Sequence, residues 1–152
     1  MKKYILMLLF FLGGLHIQAQ ELKWYTDVQE AIAVSNKENK PMMLFFTGSD
    51  WCGWCIRLQN EVFSTSEFKN WASKNVVLVE LDFPRRTPQS VELKNQNNQL
   101  QQVFGVQGFP TAYFVTAKTI DGKINFNGLG TIGYVAGGPK PWLENVSSFL
   151  KK

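Results

Sequence analysis

Cysteine and histidine are nearly missing from this chain of 152 residues. It has two Cys, at positions 52 and 55, and one His, at position 16. Zinc is normally held by four nitrogen or sulfur ligands, so no resident metal is expected. A disulfide-stapled framework is excluded as well, because one pair three positions apart closes almost no loop and stabilises little. Basic clusters are absent: Lys and Arg number 16 against 12 Asp and Glu, a formal charge of +4. That balance suggests neither nucleic acid nor an anionic membrane surface as a partner. The five Trp and twelve Phe therefore read as core and contact surface. No internal repeat is visible.

Long apolar runs are also missing, with one exception. Lys2 and Lys3 precede twelve almost wholly apolar residues, Tyr4 to Leu15, and Gln18-Ala19-Gln20 follows. A charged start, an apolar stretch and a small residue for cleavage, in that order, form a secretory signal. Spanning a bilayer takes roughly 20 apolar residues, so the run is marginal as a permanent anchor. The reading is a signal peptide over residues 1–19 and a mature domain over 20–152, exported to the periplasm or the extracellular space. Removing 19 of 152 residues leaves 133, and losing Lys2 and Lys3 lowers the charge from +4 to +2. A chain of that length is one domain with a core that needs no disulfide staples.

What the chain does have is Trp51-Cys52-Gly53-Trp54-Cys55. A Cys-x-x-Cys spacing lets two thiols close into a small, easily reduced disulfide. If a helix begins at Cys52, its unpaired N–H groups and positive dipole end stabilise the Cys52 thiolate. Export makes a purely structural role for so short a loop the weaker reading, beside chemistry.

Helix and strand signals alternate along the rest. Thr26 or Asp27 can cap a helix to about Asn39, with Val28, Ala31, Ile32 and Ser35 facing inward. Met42 to Thr47, an unbroken apolar run, reads as a strand covered on both faces. A helix is expected from about Cys52 to Asn60, and another from Ser66 to about Lys74. Val76 to Asp82 is a second buried strand, interrupted at Glu80. Pro84 to Pro88 is a loop with two Arg. Leu93 to Phe104 predicts a helix with Leu100, Val103 and Phe104 inward and an Asn/Gln-rich outer face, Asn97 included. Thr111–Thr116 and Lys123–Asn127 predict a hairpin turning at Asp121-Gly122. Gly128 to Pro141 reads as loop, and Trp142, Val146, Phe149 and Leu150 mark a closing amphipathic helix. The Cys pair thus sits where a core strand runs into its helix, at the strand's carboxyl end, where open α/β sheets gather functional groups.

From Trp24 to Lys152 the chain resembles the thioredoxin superfamily. An apolar strand leads into Trp51-Cys52-Gly53-Trp54-Cys55, Gly108-Phe109-Pro110-Thr111 follows later, and a hairpin and helix close the chain. Thr47-Gly48-Ser49-Asp50 before the motif and Glu61-Val62-Phe63 after it are most similar to exported thioredoxin-like proteins of the DUF255-related, disulfide-reductase type. The resemblance implies an α/β, thioredoxin-like fold, a central mixed β-sheet flanked by helices. It also implies a redox-active Cys52–Cys55 disulfide in place of any cofactor. Cys52 would be the exposed nucleophile that forms a mixed disulfide with substrate, and Cys55, more buried, would resolve it. Pro110 corresponds to the family's cis-proline beside the disulfide. The backbone of Phe109 would pair with an extended substrate segment. Trp51 would cover the disulfide, and Gly53 and Trp54 fill the central dipeptide at the substrate side.

One departure stands out. Thioredoxins carry a buried Asp six residues before the first Cys, and Phe46 occupies that place here. Glu80, in the neighbouring strand, is the candidate substitute base, its pKa raised by burial. The alternative for Glu80 is a strand-edge carboxylate facing solvent. With no cation in Gly53-Trp54 and no His in the mature chain, a reducing pair is favoured over a strong oxidant. The expected partners are protein thiols and disulfides plus a membrane electron donor, and a monomer is expected. Two other readings stay open: a peptide-binding module whose disulfide only rigidifies the groove, and an inert structural relic.

Overall fold

The computed structural model describes residues 22–150; the expected signal peptide lies outside the described residues. Five strands and five helices alternate: β1 (Trp24–Tyr25), α1 (Val28–Glu38), β2 (Met42–Thr47), α2 (Gly53–Leu58), α3 (Ser66–Asn75), β3 (Val77–Asp82), α4 (Val91–Val103), β4 (Thr111–Ile120), β5 (Lys123–Ile132) and α5 (Pro139–Leu150). Between α2 and α3 the chain winds as a wider π-helix over Gln59–Phe63. One mixed sheet runs in the order β1-β3-β2-β4-β5. β3 is parallel to both β1 and β2, whereas β4 is antiparallel to β2 and β5. Among the described residues, no helix is long and apolar enough to cross a membrane.

Every residue of β2 is buried, because the sheet is covered on both faces and a strand's side chains alternate between them. Met43 and Phe45 join Leu78, Ala112 and Phe114 against Leu58, Val62, Phe63, Phe68, Trp142 and Val146, from α2, the π turn, α3 and α5. Met42, Leu44 and Phe46 join Val77, Val79, Leu81 and Val115 against Val28, Ala31 and Ile32 of α1 and Leu100 of α4. Phe46 therefore belongs to the layer opposite the cysteines, which are in the first cluster.

Local chemistry sets the boundaries. The Asp27 carboxylate accepts from the N–H groups of Gln29 and Glu30 at the start of α1, and Asn39 ends it in the left-handed conformation (φ 54°), as short polar residues do at helix ends. Thr65 caps α3 through the N–H of Phe68, and Ser90 caps α4 through the N–H of Leu93. The hairpin turns at Asp121 and Gly122, with φ of 52° and 73°, the two positive values that a tight two-residue turn of this kind requires.

Four expectations change. The hairpin strands are longer than their apolar runs, since β5 continues through Gly128 and Gly130 to Ile132. Glycine at 130 leaves room for the Phe149 ring of α5, which a Cβ would overlap. β1, two residues long, was not anticipated. The helix after the Cys pair is regular only to Leu58. In α4 the inward face is different: Val103 is 66% exposed, while Asn97 is fully buried. Asn97 donates to the carbonyl of Asp82 at 2.9 Å and accepts from Gln96, whose amide also bridges Thr26 and Val28. The amide-rich face thus ties α4 to the end of β3 and the start of α1.

Candidate active site

β2 ends at Thr47, and residues 48–51 form the turn that leads into α2. The carbonyl of Gly48 accepts from the N–H groups of Trp51 (3.3 Å) and Cys52 (2.9 Å). Gly48 is needed because the Trp51 indole lies directly on it, where a Cβ would overlap the ring. The indole N–H donates to the carbonyl of Phe83 at 2.8 Å.

Cys52 is the N-cap of α2, and its Sγ accepts from the N–H of Cys55 at 3.2 Å. The two cysteines form a disulfide, with Cα atoms 5.2 Å apart. The N–H that touches Sγ is one of the donors a helix start leaves without an internal partner. It would hold a thiolate more strongly than a neutral sulfur. Cys52 is 6% exposed and Cys55 1%. The expectation of an exposed Cys52 is therefore corrected: it is more open than Cys55, yet buried, because Trp51 and Phe109 pack against the same cluster. Gly53 is exposed and a side chain there would meet nothing.

The Phe109–Pro110 peptide bond is cis and leads directly into β4, which pairs with β2 from Phe46 opposite Thr111. Phe109 meets Trp51 at a ring separation of 6.0 Å and stacks on Phe83 at 4.9 Å. Three segments distant in sequence, at 51, 83 and 109, thus form one aromatic wall beside the disulfide.

Glu80 lies in β3 beside Phe45 of β2, on the cysteine side of the sheet by the alternation with Leu78. Glu80 and Cys55 line the same cavity, of about 210 Å³, with Phe45, Thr47, Ser49, Ile56, Gln59 and Asn60. Burial, and then the nearby Asp82 carboxylate, push the Glu80 pKa upward, as desolvation and a like charge both do. Glu80 is half-buried rather than at a solvent-facing edge.

Trp54 is 56% exposed and leans on Tyr134 at 5.1 Å, with the Arg57 guanidinium 5.4 Å from the Trp54 ring centre and 5.3 Å from that of Tyr134. Arg57 Nε donates to Glu61 at 2.6 Å, and the Tyr134 hydroxyl donates to the other Glu61 oxygen at 2.5 Å. The Tyr134 hydrogen bond first, and Arg57 second, hold the Glu61 carboxyl below its usual range, and the Tyr134 pKa rises in return.

Several contacts that shape this site were not read from sequence. The Asp50 carboxylate accepts from the N–H groups of Arg85 (2.9 Å), Arg86 (2.8 Å) and Thr87 (2.8 Å). These bonds, that from Arg85 foremost, hold its carboxyl well below the ordinary range. Asp82 accepts from both the N–H and the hydroxyl of Ser49, at 2.9 and 2.6 Å. Nothing in spacing connects Asp50 with residues 85–87. The Arg57–Glu61 pair four apart was a readable cue, and its partner Tyr134 was not. Among the described residues, no group of three His, Cys, Asp or Glu is placed to hold a metal ion.

A disulfide at the start of a helix, beside a cis-proline loop on a mixed sheet, defines a class, and comparison agrees. The chain matches the Thioredoxin-like family over residues 23–117 and belongs to it. It is a thiol–disulfide oxidoreductase with a Cys-x-x-Cys disulfide. Over 135 residues it is 38% identical to the disulfide bond reductase DsbH of Chlamydia pneumoniae, covering 89% of this chain and 76% of that protein. The solved structure of a DsbH oxidoreductase superposes with a TM-score of 0.75 at 38% identity, over 86% of this chain and 85% of that one. A thioredoxin from Thermus thermophilus shares the fold, with a TM-score of 0.59 at 19% identity over 84% and 85% of the two chains.

Proposed function

We propose that the protein is an exported oxidoreductase that reduces or isomerises disulfides in other proteins. The observation that carries this reading is the Cys52–Cys55 disulfide held at the start of α2, with the Cys55 N–H aimed at Cys52 Sγ. The similarity to a disulfide bond reductase supports the reducing direction.

In the reduced protein the Cys52 thiolate attacks one sulfur of a substrate disulfide. A Cys52–substrate disulfide forms and the first substrate thiolate leaves. Glu80 takes the Cys55 proton through the shared cavity, and the Cys55 thiolate attacks Cys52 Sγ. The mixed disulfide breaks, the second substrate thiolate leaves, and the Cys52–Cys55 pair becomes a disulfide by giving up the two electrons that the substrate disulfide gains. Trp51, Gly53, Trp54 and the backbone of Phe109 and Pro110 form the surface an extended substrate segment lies against. An oxidising compartment would keep the pair oxidised, so turnover calls for a dithiol donor, which in an exported protein is a membrane electron donor.

The test is the equilibrium reduction potential of the pair against external thiol buffers. A value at or below about −250 mV supports a reductase, one of about −180 to −120 mV an isomerase or oxidant, and failure to equilibrate removes the enzyme reading. The low exposure of both cysteines favours a second reading, a peptide-binding module with a structural disulfide. Alanine at Cys52 separates the two: the enzyme loses its activity, whereas a binding module keeps its affinity for extended peptides.

A further inference from the structure

The motif carries an arginine against each of its tryptophans, and the two differ in one respect. Arg57, beside Trp54, is already paired with Glu61. Arg85 lies 3.7 Å from the centre of the Trp51 ring, and the ion pairs among the described residues, Lys23–Glu30, Lys40–Glu38 and Arg57–Glu61, include neither Arg85 nor Arg86. The adjacent acid, Asp50, spends its carboxylate on the backbone N–H groups of 85–87 rather than on either guanidinium. Both arginine side chains are exposed.

The segment bearing them is fixed to the residues that lead into Cys52. Asp50 holds 85–87, Trp51 holds the carbonyl of Phe83, and Ser49 holds Asp82. Positive charge is thus presented at a constant place over Trp51, the residue before Cys52. An arginine stacked on an indole keeps the edge of its guanidinium free, and that planar fork matches a carboxylate.

We propose that Arg85 and Arg86 form a specificity wall that selects protein segments carrying Asp or Glu next to the disulfide to be reduced. The proposal rests on Cys52 being the attacking thiol. A carboxylate one or two residues from the substrate cysteine, seated at Trp51, comes within reach of Arg85, while a lysine there is repelled.

The test uses the reduced protein and three disulfide-linked fluorescent peptides that differ only in carrying Asp, Ser or Lys beside the cysteine. An uncharged aromatic disulfide serves as a fourth substrate. The second-order rate constant for the Asp peptide is expected to exceed that for the Lys peptide about tenfold at low salt, the scale of gaining one exposed ion pair and avoiding one repulsion. Half-molar salt should compress the ratio toward one. R85E/R86E should invert the ratio, and R85A/R86A should bring it near one. A wild-type ratio of about one, or a ratio unchanged in R85E/R86E, overturns the proposal while the uncharged disulfide still reacts. No reaction with the uncharged disulfide overturns the thiol-exchange reading itself, and this inference with it.

Discussion

Replacing Gly48 with Ala isolates the way Trp51 is seated. Gly48 is not in the left-handed region, so its backbone would accept alanine. The obstacle is the Trp51 indole, whose ring atoms occupy the space of the new Cβ. The indole cannot simply slide away, because its N–H is bonded to the carbonyl of Phe83 and its ring carries Arg85. Overpacking of this kind costs about 1–3 kcal/mol, and the strained or broken hydrogen bond adds about 1 kcal/mol. Against this, alanine restricts the unfolded chain and returns about 0.4–1 kcal/mol. The net expectation is a loss of about 1.5–3 kcal/mol, a Tm lower by about 5–15 °C for a domain of this size. Such a domain stays folded, since stabilities run to about 5–15 kcal/mol.

The same substitution made in a Trp51→Ala background should change sign. With the indole gone, only the unfolded-state effect remains, and Gly48→Ala becomes neutral or stabilising by up to about 1 kcal/mol. Thermal unfolding of the four oxidised proteins by circular dichroism gives the coupling between the two sites, expected to reach about 2 kcal/mol or more. A coupling below about 0.5 kcal/mol would refute the seating of Trp51 on Gly48.

Cys55→Ala should accumulate a mixed disulfide between Cys52 and a protein substrate, visible on non-reducing gels, and Cys52→Ala should not; equal trapping by both would reverse the assigned roles. Glu80→Gln should slow release of that mixed disulfide, and an unchanged rate removes Glu80 as the base. The same variant has a stability signature. The folded carboxyl holds its proton more tightly than the ordinary value of 4.5, so the wild type loses stability as pH rises from that value through the higher folded pKa. Glu80→Gln should flatten this slope and be the more stable protein at neutral pH, which urea unfolding at several pH values checks. Asn97→Ala should cost about 1–2 kcal/mol in urea unfolding, because it strips the Gln96 amide of a partner and leaves a small cavity. The loss is limited because Gln89 also donates to the carbonyl of Asp82; a change below about 0.5 kcal/mol would show that the amide network is dispensable.

Elements with a strong period or a chemical punctuation mark were legible in the sequence. The inward stripe of α1 is Val28, Ala31, Ile32 and Ser35 as expected, and five apolar residues followed by Thr47 marked β2 because both of its faces are covered. Trp24–Tyr25 was invisible, since a two-residue strand has no period and is defined by its partner β3. The inner face of α4 misled for a different reason: Asn97 is buried through hydrogen bonds to residues far away in sequence, and hydrophobic patterning has no term for that. The Cys pair and the cis Phe109–Pro110 bond could be placed from local motifs and a family resemblance. The Asp50 clamp and the Tyr134–Glu61 contact could not, because each joins segments that only the fold brings together.

That long-range assembly bears on the direction of electron flow. A pair becomes a strong oxidant when its reduced form is stabilised, chiefly by donors and cations at the nucleophilic thiolate. From sequence, Gly53-Trp54 supplies no cation. The fold does bring Arg57 to the motif, yet Glu61 neutralises it at 2.6 Å. Arg85 arrives stacked on Trp51 instead of bonded to sulfur, and the Cys55 N–H is the one hydrogen-bond donor to Cys52 Sγ among the described residues. One backbone donor at a helix start stabilises a thiolate far less than an added imidazolium would. The pair should therefore remain on the reducing side, and Glu61→Gln tests the argument. Unmasking the Arg57 charge beside Trp54 should raise the potential and lower the Cys52 pKa; thiol-buffer titration and the pH dependence of alkylation read the two, and no movement in either would show that Arg57 is too far from the sulfur to act on it.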